Sequence, residues 1–96
     1  MNFSYQIGMC DADHYAPLAQ AAEAAGYQGL AIPDSICYPK EASSKYPYNA
    51  DGSREFLESV PFMESLIAVA YMAGVTKDIR FHTFVYKLAV RQAAIV

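Results

Sequence analysis

The stretch that decides the fold is LAQAAEAAGYQGLAIP, residues 18–33. Its first half continues a helical pattern from Tyr15, and Gly26 is the residue type that ends a helix in the left-handed conformation. Its second half is a short apolar run that ends at Pro33 and lacks helical length, which predicts a strand. The apolar face of the helix is predicted to consist of Tyr15, Leu18, Ala19, Ala22 and Ala25.

The same kinds of signal divide the rest of the chain into strands, helices and one long loop. In order along the chain we predict a strand at 3–9, a helix at 14–25, a strand at 28–32, a long loop at 33–58, a helix at 60–73, a strand at 79–85 and the start of a further helix at 91–96. The second helix is expected to begin near Pro61, with Ser59 as its cap and with Phe62, Leu66, Ile67 and Ala70 buried. The β-α-β-α-β order predicts an α/β fold with parallel strands joined by right-handed crossovers.

The composition of the 96-residue chain excludes several classes of function. Hydrophobic residues make up 54% of it, so it can form a core and is not a disordered tail. The formal net charge is −3 and the basic residues are scattered, which argues against a nucleic-acid partner. No apolar stretch approaches the ~20 residues of a membrane helix, and the N-terminus lacks the pattern of a signal peptide. Cys10 and Cys37 have no metal-binding spacing, so we expect no metal site, two free thiols and a cytoplasmic location.

Several segments, taken in order, resemble the luciferase-like monooxygenase family. Residues 18–30 resemble its first helix and second strand, and residues 31–35 correspond to an acidic position at the end of that strand. Residues 76–83 and 85–92 are similar to its third strand and to the approach to its third helix. The loop with Tyr38-Pro39 and Tyr46-Pro47 resembles the branch of the family that uses the deazaflavin coenzyme F-420.

The resemblance implies the N-terminal βαβαβ portion of a (β/α)8 TIM barrel, a fold of about 250 residues. Three strands of eight cannot close a barrel, so the chain is expected to be one partial domain of an incomplete barrel. The implied activity is hydride transfer between coenzyme F-420 or flavin mononucleotide and an unknown organic substrate. Because the phosphate of such cofactors is often held near the last two strands, the isolated 96 residues are not expected to bind one tightly.

The resemblance also indicates which residues would contact the cofactor. Asp34 and Ser35 follow the second strand, at the barrel end where active sites lie, and Asp34 is the candidate catalytic residue. Thr83 and Val85, at the end of the third strand, would lie against the cofactor ring. Many deazaflavin-dependent members carry an Asp-His pair where this chain has Asp34-Ser35, so the proton-transfer role of that histidine does not carry over.

Each candidate also has a purely structural interpretation. Asp34 and Ser35 are residue types that cap turns and helices, and Thr83 is an ordinary strand residue. The candidate substrate-binding residues could equally fasten the long loop to the barrel mouth; they are Tyr38, Tyr46 and Tyr48. His82 is more simply explained as a structural residue of its strand.

Two cationic residues follow the third strand. Lys87 and Arg91 could each reach an anionic group on a cofactor. For Arg91 we favour a structural ion pair with Glu58 or Glu64.

Two further hypotheses compete with an enzyme segment. The chain could be a truncated, non-catalytic product that pairs with another copy or with the remainder of the barrel, because a three-stranded parallel sheet leaves open edges and an uncovered face. The other is a flavodoxin-like binding domain. It ranks last, because Asp11 and Asp13 stand where a phosphate-binding loop would be and their negative charges would repel a phosphate.

Overall fold

The molecule is a three-stranded parallel sheet with two helices, and a computed structural model describes residues 1–8 and 10–94. Its main elements are β1 (Ser4–Gln6), α1 (Tyr15–Ala24), β2 (Gly29–Pro33), α2 (Ser65–Ala73) and β3 (Arg80–Phe84). Single 3-10 turns lie at Ala12–His14, Glu55–Leu57 and Leu88–Val90. The predicted α/β class and β-α-β-α-β order are confirmed.

The strands lie in the sheet in the order of the chain, with β2 in the centre. Tyr5 pairs with Leu30, and Leu30 pairs with Phe81, in parallel register. Since side chains alternate along a strand, these three residues share one face and their neighbours share the other. β1 and β3 each pair only with β2 within the described residues, so each has one unpaired edge.

The core lies between one face of the sheet and the two helices. Leu30 and Ile32 of β2 are 0% and 1% exposed. The helices contribute three alanines, one tyrosine and one methionine to this core, namely Tyr15, Ala19, Ala22, Ala68 and Met72. Alanines on facing helix surfaces allow close approach, because they add little volume between the backbones. Within residues 1–8 and 10–94, no helix packs against the opposite face of the sheet, which carries exposed Gln6 and His82.

The end of α1 follows the sequence-based prediction. Gly26 has φ +84°, and the amide of Tyr27 donates to the carbonyl of Ala22. Glycine is favoured here because an L side chain at positive φ is strained. Of the predicted face of α1, Tyr15, Ala19 and Ala22 are buried, Leu18 is partly buried and Ala25 is exposed.

The prediction for the second helix was wrong in its start and in its buried face. α2 begins at Ser65, not near Pro61, and its cap is Glu64, whose carboxylate accepts from the amides of Leu66 and Ile67. The buried residues are Ser65, Ala68 and Met72, whereas Leu66 and Ile67 are 48% and 63% exposed. The prediction selected the larger apolar residues, but the tertiary contacts bury the face of α2 that carries Ser65, Ala68 and Met72 instead.

A single carboxylate anchors the turn before β3. Oε1 of Glu23 on α1 accepts hydrogen bonds of 2.9, 2.7 and 3.0 Å from the amides of Lys77, Asp78 and Ile79. These bonds hold the pKa of Glu23 below its ordinary value. The contact fixes where β3 enters the sheet relative to α1.

The ends of several elements differ from the prediction. β1 and β3 are shorter than the predicted strands 3–9 and 79–85, whereas β2 has the predicted length and lies one residue later than 28–32. After β3 comes a cis peptide bond between Phe84 and Val85 and then the turn Leu88–Val90, with Arg91 extended, so no helix starts at Arg91. Residues 95 and 96 of the predicted helix, and residue 9 of the first predicted strand, lie outside the described residues.

Candidate functional site

A cleft of about 610 Å³ lies at the carboxyl ends of all three strands. Each strand end contributes to it: Ile7 and Gly8 follow β1, Ser35 follows β2, and Val85 follows β3. The long loop forms another wall with Tyr46, Arg54, Phe56, Leu57 and Val60. In parallel α/β sheets this end of the strands is where ligands bind, because loops of several units converge there.

Asp34 lies at the floor of this cleft, 3% exposed, and is fully hydrogen-bonded. Arg91 approaches it with both terminal nitrogens, Nη2 to Oδ1 at 2.6 Å and Nη1 to Oδ2 at 2.7 Å. The hydroxyl of Ser65 donates to Oδ1 at 3.2 Å, and the backbone amide of Lys87 donates to Oδ2 at 2.7 Å. With two donors on each oxygen, the carboxylate joins β2, α2 and the segment after β3.

Arg91 extends this contact into a three-residue network with Glu64. Its Nη2 lies 2.7 Å from Oε1 of Glu64, and its Nη1 also donates to the carbonyl of Lys87 at 2.9 Å. Its guanidinium lies 4.0 Å from the centre of the Tyr86 ring, a cation–π distance. The expected ion pair with Glu58 or Glu64 is confirmed, with Glu64 as the partner.

The network changes the proton affinities of its members. Hydrogen bonds from Arg91 lower the pKa of Asp34, although burial acts in the opposite direction. For Glu64, burial acts to raise the pKa, but Arg91 and the amides of Ile67 and Leu66 lower it overall. The hydrogen bonds to Asp34 and Glu64 raise the pKa of Arg91 in turn. In this arrangement Asp34 is a charged structural anion with no free lone pair for proton abstraction, so its predicted catalytic role gains no support from the geometry.

Ser35 and Val85 both line the cleft, as a cofactor-binding role requires. The hydroxyl of Ser35 accepts a 3.1 Å hydrogen bond from Nζ of Lys87. Val85 is 69% exposed and forms part of the cleft wall. Their predicted contact with a cofactor stays a prediction.

Thr83, in contrast, is not one of the cleft residues. It pairs with Ile32, so it points toward the helix side of the sheet together with Phe81. The structure therefore places Thr83 outside the cleft, and its predicted contact with a cofactor ring stays a prediction. Its neighbour His82 is exposed on the opposite face of the sheet. It pairs with Ala31 of β2, which in turn pairs with Gln6 of β1.

One of the three candidate tyrosines reaches the cleft. Tyr46 lines it and packs its ring 5.4 Å from Phe56 and 5.5 Å from Tyr48. Tyr48 is 85% exposed, and neither it nor Tyr38 is a cleft residue. Both ring contacts of Tyr46 are with other residues of the loop, so they pack the loop against itself, and its predicted contact with a substrate stays a prediction.

Sequence reasoning missed the apolar part of the cleft wall. Phe56 and Leu57 lie in a 3-10 turn within the segment that was predicted to be loop. The pattern Arg54-Glu55-Phe56-Leu57 was a usable signal, since two large apolar residues in a polar loop usually pack against something. Ser65 was also missed; a helix-start serine at 0% exposure indicates a buried polar partner.

The relatives of the chain are longer proteins. It is 52% identical over all 96 residues to uncharacterized proteins of Mycobacterium bovis and of two strains of Mycobacterium tuberculosis. The chain spans about a third of the length of these curated relatives, 33% of each. No protein-family model and no solved structure matches it.

The helices are also short. α1 has 10 residues and α2 has 9, and no helix among the described residues has the length and apolar character needed to cross a bilayer.

Proposed function

We propose that the chain is a segment of a luciferase-like oxidoreductase that uses coenzyme F-420 or flavin mononucleotide, and that it supplies the first three strands of a (β/α)8 barrel. The cleft at the carboxyl ends of three parallel, sequentially ordered strands is the observation that carries this proposal. It agrees with the barrel rule that loops after the strands form the active site. The greater length of the relatives leaves room for the further strands that a closed barrel needs.

The cleft has a suitable size and wall for a flat aromatic ring. Its volume of about 610 Å³ lies within the usual range of ligand pockets. Phe56, Leu57 and Val85 provide apolar surface that would exclude water from a bound ring. The cofactor would supply the hydride chemistry, and Ser35 would offer a hydroxyl to orient it.

Cofactor titration of the protein, in the full length that its gene encodes, tests this proposal. Coenzyme F-420 and flavin mononucleotide are added separately, and the change in cofactor fluorescence gives the dissociation constant. We expect one of them to bind, and Val85→Asp to weaken binding about tenfold, because an unpaired charge would lie against the ring. The matched control is Val75→Asp, a change at the end of α2 outside the cleft. Absence of binding by both cofactors would overturn the proposal.

The second candidate is a non-catalytic segment that assembles with another copy of itself or with the remainder of a barrel. The unpaired edges of β1 and β3 and the uncovered face of the sheet favour it. It would account for the fold without any cofactor, and the assembly experiment under Discussion tests it.

A further inference from the structure

The charge of the cleft is unusual for a chain with a formal net charge of −3. Arg54 and Lys87 both line the cleft, and the only acidic residue among the described lining residues is Asp34. Arg91 is shared between Asp34 and Glu64, so these three groups together carry one negative charge, against the two positive charges of Arg54 and Lys87. Glu55 and Glu58 flank the same loop turn but are exposed and do not line the cleft. The cleft therefore has an excess of positive charge.

Neither of these two cations has an acidic partner. In the part of the chain that the structure describes, the only ion pairs closer than 4 Å are those of Arg91. Nζ of Lys87 is bonded only to the neutral hydroxyl of Ser35. Nη2 of Arg54 donates to the carbonyl and hydroxyl oxygens of Ser44 at 3.2 and 2.8 Å. Surface cations need no partner, but two that line one cleft create a local field that attracts anions.

Arg54 also has an unused hydrogen-bond donor. Its Nε is buried and has no acceptor among the described residues. Buried donors are almost always paired, because an unpaired one loses its bonds to water without compensation. Ser44 holds the guanidinium in place, so its orientation does not depend on a ligand.

The remaining wall of the cleft is apolar. Phe56, Leu57 and Val60 lie on the loop side, and Phe84 and Val85 lie on the strand side. A ligand that matches both features has an apolar body and one anionic group. From this combination we propose that the cleft binds a substrate bearing a carboxylate or phosphate on an apolar body, with the anion held by Lys87 and Arg54. This inference rests on the proposed function, because a ligand of the cleft is a substrate only if the cleft is the active site of an oxidoreductase.

Three small probes of the same aromatic type test the inference: 4-phenylbutyrate, phenyl phosphate and the neutral 4-phenylbutyramide. Isothermal titration calorimetry on the full-length protein gives their dissociation constants. We expect at least one of the two anions to bind about tenfold more tightly than the amide, since bonds to charged groups are the stronger ones. Equal binding of all three probes would overturn the inference.

Charge-removing variants locate the binding. Lys87→Gln and Arg54→Gln should each reduce the preference for the anion, and the matched control Lys77→Gln, at the opposite end of β3, should leave it unchanged. Lys87 is exposed, so its variant tests the inference even if the Arg54 variant loosens the loop. A preference that survives both substitutions would overturn the assignment.

The cofactor is titrated separately, so the two proposals can fail independently. Anion binding without cofactor binding would refute the oxidoreductase and would leave the proposal of an anion-binding cleft intact. Anion binding that is lost when cofactor is added would show that the two cations hold the cofactor's phosphate instead of a substrate.

Discussion

Asp34 illustrates at the residue scale how a candidate catalytic group can be a structural one. Its position after β2 agrees with an active site, but four hydrogen bonds occupy its two oxygens. The Asp34–Arg91 pair connects residues 57 positions apart in the chain. A carboxylate held in this way contributes by fixing the segment after β3, including Lys87, at the edge of the cleft.

We expect Asp34→Asn to destabilise the protein by about 2–3 kcal/mol, because it removes one of the two counter-charges of a partly buried guanidinium and two charge-assisted hydrogen bonds. Urea unfolding followed by circular dichroism measures the change. Asp13→Asn is the matched control, since Asp13 is exposed in the turn before α1. Equal stability of the two variants would show that the network contributes nothing to folding.

The same network predicts a loss of stability in acid. The folded-state pKa of Asp34 is lowered, so its contribution is complete above the unfolded-state value of about 3.9 and is lost as the pH falls through the folded value. The free energy of unfolding should therefore be nearly constant from about pH 7 to 5 and should decrease below that range. In Asp34→Asn the decrease should be smaller but present, because the pKa values of Glu23 and Glu64 are also lowered. An identical pH profile in both proteins would contradict this origin.

At the scale of the element, the sequence predicts the end of a helix correctly where the backbone conformation of one residue determines it. Gly26 ended α1 as predicted because positive φ is a property of one residue. The start of α2 was not predictable in the same way. Glu64 caps it and also binds Arg91, so a contact with a distant residue helps select the first turn.

The two glycines that follow the helices provide a matched pair of substitutions. Gly26 has φ +84°, whereas Gly74 has φ −66°. Gly26→Ala should lower stability by about 1–2 kcal/mol through backbone strain alone, because a new Cβ there meets no atom within 4 Å. Gly74→Ala should be neutral or stabilising by up to about 1 kcal/mol, since its Cβ would meet only ordinary contacts. Thermal unfolding distinguishes the two, and equal effects would contradict the backbone explanation.

The whole molecule has more surface than a closed domain of its length. Its radius of gyration is 14.8 Å, compared with roughly 12.5 Å for a compact chain of 96 residues. The uncovered face of the sheet and the exposed outer residues of α2 account for part of this surface; the latter are Leu66, Ile67 and Tyr71. Buried surface is what stabilises a fold, so these regions favour assembly.

We expect the 96-residue chain to associate with itself in solution. Size-exclusion chromatography with light scattering should show an apparent mass that rises with concentration. Ile67→Glu should reduce this rise, because it places a charge on the exposed apolar face of α2, and Ala24→Glu on the exposed side of α1 should not. A well-folded monomer at every concentration would count against the non-catalytic assembly hypothesis.

The order of the elements and the stop at Gly26 followed from the sequence by itself. Hydrophobic periodicity and turn residues act over a few neighbouring positions, so they can be recognised without knowing what they pack against. Only the tertiary structure decided that Thr83 faces the helices, that the buried face of α2 is the one with Ala68 and Met72, and that Asp34 is paired with Arg91. These outcomes depend on which distant residues meet, and a contact between positions 34 and 91 leaves no local pattern in the chain.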